Sequence, residues 1–253
     1  MTDSNSRTAL ITGGSRGIGL ATARVLAGRG DRVVLAARGE DELRAATDAI
    51  RRDGGSAWSW AGDVTDPRAC EAMVAHAREV AGSVEIAVLS AGIGHWTPVS
   101  AMSEQQWRDT MSVNLDAVYY ATRALLPAML EEGRGHLVFL SSVLGRKGVP
   151  NMAAYSASKA AVAAFAESVA AEVKPHGVKV TVMYPGTTAT GMRDHQVERP
   201  RTPDITDPDL QLAPEDVADA IAWATDTSAR AYPTGVTIEP RGLAGRADGG
   251  SRG

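Results

Sequence analysis

What most limits the folds open to this chain is a regular alternation of period. Short apolar runs at residues 8–12, 32–37, 57–61, 84–90, 136–141, 178–184 and 236–239 are separated by longer segments of helical period at 18–29, 40–52, 67–80, 104–130, 152–173 and 214–225. Runs that are apolar at every position suit strands covered on both faces, and a helix between two such strands returns the chain in parallel. Right-handed crossovers then wind the helices onto both sides. The pattern predicts an α/β fold, a doubly wound parallel sheet of about seven strands. Local punctuation agrees: Asp66-Pro67 sets a cap residue before a first-turn proline, and Gly30 and Gly54-Gly55 follow the first two helices. A length of 253 residues suits one such unit, so residues 1–242 are read as a single domain. The long irregular stretch at about 187–212 is read as a lid, and 243–253 as a disordered tail.

Composition excludes several functions. Apolar residues make up 44% and charged residues 22%, as in ordinary globular chains. A net charge of −4 with no Lys/Arg-rich block gives no general attraction to nucleic acid or anionic membrane. Cys70 is the single cysteine, so no disulfide and no cysteine-built metal centre is predicted. The longest apolar run, 160–166 between Lys159 and Glu167, falls far short of the roughly 20 residues of a membrane span. The N-terminal MTDSNSRTALIT lacks the basic-then-apolar order of a secretion signal. These features predict a soluble, cytoplasmic protein with no metal site, no nucleic-acid partner and no membrane partner.

The first chemical signal is Thr12-Gly13-Gly14-Ser15-Arg16-Gly17-Ile18-Gly19, where the first strand turns into the first helix. Glycines there admit positive φ and close approach, and the free N–H groups of the helix end attract a pyrophosphate. The segment reads either as a tight strand-to-helix turn or as the phosphate loop of a Rossmann-type dinucleotide site. Its position after the first buried strand favours the second, with Gly13, Ser15, Arg16, Gly17, Ile18 and Gly19 as contacts. A carboxylate at the end of the second strand would suit the free ribose of NAD; a basic residue suits the 2′-phosphate of NADP. This strand ends Ala36-Ala37-Arg38, and Arg16 lies in the loop. Two guanidiniums favour NADP(H) over NAD(H), although Glu40 and Asp41 nearby leave NAD(H) open.

The second signal is Ser142, Tyr155 and Lys159. Tyr155 and Lys159 lie four apart on one helix face, and Ser142 lies just past a strand's C-terminal end, where open α/β sheets bind ligands. Lysine is scarce here: only Lys147, Lys159, Lys174 and Lys179 occur among 26 basic residues. The pair is therefore informative, against the alternative of a half-buried tyrosine with a lysine lying along it. An ammonium beside a phenol favours the phenolate and draws its pKa from near 10 toward neutrality. Tyr155 could then protonate a carbonyl oxygen that Ser142 holds by a hydrogen bond.

Together these residues resemble the short-chain dehydrogenase/reductase family in its single-domain form. The likeness runs from about Thr8 to Gly242. It takes in the glycine loop, Asp63-Val64, Ala91-Gly92, Asn114, Ser142, Tyr155 with Lys159, and Pro185-Gly186 followed by Thr190. The resemblance implies that Asp63 and Val64 border the adenine and that Ala91-Gly92 border the cofactor. Pro185, Gly186, Thr188 and Thr190 would flank the nicotinamide. Tyr155 and Lys159 would contact its ribose side, and Asn114 would hold a relay water to Lys159. Two departures stand out: Leu89-Ser90 replaces an asparagine pair, and Pro240-Arg241-Gly242 replaces an Asp-Gly-Gly ending.

By the same resemblance His95, Trp96, Val149, Met152 and Met192 are candidate substrate contacts. The leading expectation is an NADPH-dependent reductase of a small-molecule ketone, similar to 3-oxoacyl-thioester and carbonyl reductases. The alternatives are an NAD-dependent alcohol dehydrogenase and a cofactor-sensing protein without catalysis. A homodimer or homotetramer through the two long helices is implied.

Overall fold

The computed structural model describes residues 6–191, 210–228 and 230–241. Its seven strands are β1 Thr8–Thr12, β2 Arg32–Ala37, β3 Ser56–Ala61, β4 Val84–Leu89, β5 Gly135–Leu140, β6 Val178–Pro185 and β7 Gly235–Ile238. They form one parallel sheet in the order β3-β2-β1-β4-β5-β6-β7. The described helices are α1 Gly17–Gly28, α2 Glu40–Arg52, α3 Pro67–Ala81, α4 Glu104–Met111, α5 Ala117–Glu132, α6 Ala153–Val173 and α7 Pro214–Thr225. The chain starts mid-sheet, steps outward to β3, then returns past β1 to build the other half. Crossovers therefore diverge between β1 and β4, and a crevice opens at the C-terminal ends of those strands.

Alternate strand residues feed two separate cores. Leu10, Val34, Leu89, Leu137, Phe139 and Val182 pack with residues of α3, α5 and α6. Ile11, Leu35, Val88, Val138, Leu140 and Met183 pack with α1, α2 and α7. This two-sided burial is why the strands read as unbroken apolar runs. The Asp66 cap forms as expected, its carboxylate accepting the Arg68 N–H ahead of α3.

The expected helix over 104–130 is interrupted. Between α4 and α5 the residues Ser112–Asp116 form a π-helical turn. Asn114, at its centre, is fully buried. A buried amide needs partners, and the wide turn swings it toward the chain leaving β4.

At the opposite edge, cations tie the sheet to α7. Arg7 donates two hydrogen bonds to Asp31 (3.1 and 3.0 Å) and a third to the Thr225 carbonyl (2.6 Å). Lys179 Nζ donates to the Ser228 carbonyl at 2.7 Å. Beside them the buried His136 Nε2 lies 2.8 Å from Thr181 Oγ1, which donates its one proton to the Pro233 carbonyl. His136 Nε2 must therefore be the donor. Burial, and then the charges of Lys179 and Arg7, lower its pKa from 6.5 to about 3. Between those values the unfolded chain binds a proton that the folded chain refuses. Stability should thus decline as pH falls from 6.5 toward 3, by up to about 1.4 kcal/mol per pH unit from this group. Denaturant midpoints of His136→Gln, compared with the parent across that window, should show a shallower acid decline.

Candidate active site

Strand ends and the loops that leave them converge on the crevice. Gly17 opens α1 with φ of 55°, and a Cβ there would lie 3.2 Å from Thr190 Cγ2 across the cleft. Gly19 has no room at all: an added Cβ would meet the Gly13 carbonyl oxygen at 2.3 Å and Ser90 Oγ at 2.8 Å. The loop is also tied sideways, because Gly14 N–H donates to the Ala36 carbonyl at 3.1 Å and Gly62 N–H to the Ala37 carbonyl at 3.0 Å. These bonds bring the glycine loop, the end of β2 and the start of the Asp63 turn to one rim. Ser90 takes over the sheet-end role left open by the missing asparagine. Thr12 Oγ1 accepts from the N–H groups of Ser90 (3.1 Å) and Ala91 (3.2 Å), while Ser90 Oγ donates back to the Thr12 carbonyl.

Beyond β5, Ser142 Oγ accepts the Leu144 N–H at 3.1 Å and lies 3.4 Å from the Pro185 carbonyl. Tyr155 and Lys159 project from the first turns of α6, with Lys159 Nζ 5.8 Å from the centre of the Tyr155 ring. Lys159 is buried, and its ammonium donates to the Leu140 carbonyl at 2.7 Å. Desolvation lowers its pKa from 10.5 to about 8. Asn114 braces this group from behind. Its Oδ1 accepts the Ile93 N–H at 2.8 Å, and its Nδ2 donates to the Ile93 carbonyl and to Ser158 Oγ, both at 2.9 Å. Ser158 Oγ donates in turn to the Tyr155 carbonyl at 2.7 Å. Both amide hydrogens of Asn114 are thus used within the protein. Only an Oδ1 lone pair and the main chain of this residue are left for a water.

A cavity of about 360 Å³ joins these parts. Ile18, Gly92, Ser142, Tyr155, Lys159, Pro185, Gly186, Thr188 and Thr190 line it, as do the expected substrate contacts Trp96, Val149 and Met152. His95 does not line it. Val64 and Ala91 share a small adjoining crevice with Thr12. Gly13, Ser15 and the exposed Arg16 sit in the loop at the rim, and Arg38 is exposed just past β2. Asp63 Oδ1 accepts from Thr65 N–H and Oγ1 at 3.0 and 2.9 Å, so half of that carboxylate shapes its own turn. Met192 lies outside the described residues.

Several cavity residues carried no motif. Ser90, Ser141, Leu144 and Thr187 line it. Gly145 lets its loop press on α6: a Cβ there would sit 2.9 Å from the Lys159 carbonyl. Asn151, at φ 66°, presents its carbonyl to the Thr97 N–H at 2.9 Å and joins the two apolar walls. Asparagine tolerates this left-handed conformation, which is the faint sequence signal the residue offers.

Residues 7–201 match the short chain dehydrogenase family. The chain belongs to that family. It is 34% identical over 93% of its length to 3-oxoacyl-acyl-carrier-protein reductase FabG of Vibrio cholerae, covering 96% of that protein. It is equally identical over 94% of its length to glycine betaine reductase ATRR of Emericella nidulans, but spans only 19% of that larger protein. Among solved structures, an actinorhodin polyketide ketoreductase crystallised with NADPH superposes with a TM-score of 0.87 at 31% identity, covering 95% of this chain and 98% of that one. This short-chain dehydrogenase is accordingly an NAD(P)-dependent oxidoreductase with a Rossmann-type fold, as the motif order implied. The glycine contacts yield a check on the loop. Gly19→Ala should cost about 1–3 kcal/mol by overpacking. Gly28→Ala, at the far end of the same helix with nothing within 4 Å of an added Cβ, should be neutral or slightly stabilising. Thermal melts of the two variants compare them directly.

Proposed function

We propose that this enzyme reduces a ketone to a secondary alcohol, with NADPH preferred to NADH. The observation that carries the reading is the convergence of Ser142, Tyr155 and the buried Lys159 on one cavity whose far rim is the glycine loop. The residues present fit a dinucleotide. Gly13 and Gly17 hold positive φ and no side chain where the loop faces Ala91 and Thr190, and Ile18, Gly92, Thr188 and Thr190 border the same space. Arg16 and Arg38 at the rim supply the cations that suit a 2′-phosphate, while Asp63 and Val64 flank the adenine end. When bound, the nicotinamide supplies the hydride.

The protein's own groups handle the oxygen. Ser142 turns its hydroxyl from the long 3.4 Å contact with Pro185 toward the substrate carbonyl. Tyr155 gives its phenolic proton to the same oxygen. Lys159, charged below about pH 8 and anchored on Leu140, stabilises the phenolate left behind. Asn114 acts by position, fixing Ile93 and, through Ser158, the first turn of α6. Trp96, Leu144, Val149 and Met152 give the ketone an apolar wall. Met192 and the stretch near 187–212 are proposed to cover it. A cytoplasmic single domain and a homodimer or homotetramer complete the reading. Tyr119, 45% exposed on α5, stacks edge-on with Phe165 of α6 at 6.3 Å, which gives those helices a shared aromatic outer face.

Two measurements test this. Tyr155→Phe should lower kcat by at least about 10²-fold in a ketone panel while NADPH binding persists. Unchanged turnover would remove Tyr155 as the acid, and failure to bind either dinucleotide would remove the whole reading. The sign of the pH dependence also follows. Lys159 loses its charge as pH rises through about 8, so kcat/KM for reduction should fall above that value and level off below it.

A further inference from the structure

The sequence places no acid within β2 and puts Glu40 and Asp41 just beyond it, but the carboxylate bonded to the glycine loop is neither of these. Asp41 is engaged by Arg44 in its own helix turn. The carboxylate that does reach the loop belongs to Glu42. Its Oε2 accepts a hydrogen bond from Ser15 Oγ at 3.3 Å. The same oxygen lies 3.4 Å from where a Cβ of Gly39 would stand, so the side chain folds back over the start of α2 toward the end of β2. Glu42 thus lies between the phosphate loop and Gly39, next in sequence to Arg38.

Resting on the ketoreductase reading above, we propose that Glu42 sets the cofactor selectivity of this enzyme, opposing the arginines at the rim. In this place the carboxylate accepts a hydrogen bond from a free ribose 2′-hydroxyl and repels a 2′-phosphate. Arg16 and Arg38 attract that phosphate. Selectivity is then a difference between two opposed terms, and the enzyme uses both cofactors with a ratio that Glu42 holds down. Ser15 is the latch: its hydroxyl keeps the carboxylate at the rim. The charge is exposed, so its effect is screened by salt.

The test is equilibrium binding of NADPH and NADH to the purified protein, read by nicotinamide fluorescence, for the parent, Glu42→Gln and Asp41→Asn. Glu42→Gln should raise the NADPH-to-NADH affinity ratio by about tenfold, the change that 1.4 kcal/mol makes. The gain should shrink at high salt. Asp41→Asn removes the same charge one residue earlier and should leave the ratio within about twofold. Ser15→Ala should shift the ratio in the same direction as Glu42→Gln, but less. If both nucleotides bind the parent and Glu42→Gln leaves their ratio unchanged, or Asp41→Asn moves it equally, the proposal is wrong while the ketoreductase reading stands. If neither nucleotide binds the parent, the ketoreductase reading itself fails.

Discussion

A charged lysine in the interior is the constraint around which the rest of this enzyme is arranged. Lys159 is 4% exposed, and burying an ammonium is unfavourable unless hydrogen bonds replace its water. The replacement found here is a single strong bond to the Leu140 carbonyl, at the last residue of β5. That bond requires α6 to start close against the end of the sheet. Ser141 Oγ donates to the Lys159 carbonyl at 2.7 Å, and Gly145 brings its loop against the same carbonyl. Strand end, loop and helix are thus joined at one residue. The incomplete compensation shows in a pKa held near 8, which keeps the ammonium charged at neutral pH and close to losing its proton.

The second constraint is the seam between β1 and β4. A parallel sheet started in the middle must leave a crevice where its two halves wind apart, and the ends of both strands have polar groups exposed there. Thr12 and Ser90 satisfy one another across it. Ser90 Oγ is also one of the atoms, with the Gly13 carbonyl, that an alanine at position 19 would strike. The glycine loop is therefore shaped by the neighbouring strand as well as by its own backbone preferences. On the other side Asn114 does for β4 what Ser141 does for β5, holding the departing chain at Ile93.

The fold was legible because both faces of the sheet are covered. Burial on two sides makes each strand a continuous apolar run, and the helices between them keep their own period. The strand limits found differ from those read by a residue or so. The π turn was not legible: nothing in the side-chain pattern of 104–130 distinguishes an inserted residue from a regular turn, and only the buried contacts of Asn114 explain it. The core of the site was legible because it is local in sequence, as with Tyr155 and Lys159, or stands at a strand end, as with Ser142. Residues that act across long separations left little trace. Ser90 meets Thr12, Asn151 meets Thr97 and Glu42 meets Ser15 only after the sheet has formed.

The same distinction bears on which features of the site could vary without loss of the fold. Ser142, Lys159 and the glycine loop are each tied to sheet ends that the core itself requires, so their geometry comes with the fold. The apolar wall is tied differently. Trp96 and Met152 come from two loops joined at the Thr97–Asn151 bond. The opposite wall depends on Thr188 pairing with Leu212, with 2.8 Å bonds from Leu212 N–H to the Thr187 carbonyl and from Ala189 N–H to the Leu212 carbonyl. Those bonds are few, and of the residues that make them only Leu212 belongs to a hydrophobic core. Substitutions there should change the shape of the cavity while leaving the sheet intact. The Ser142, Tyr155 and Lys159 grouping is thus built into the sheet ends, and the apolar wall into loops that the sheet does not specify.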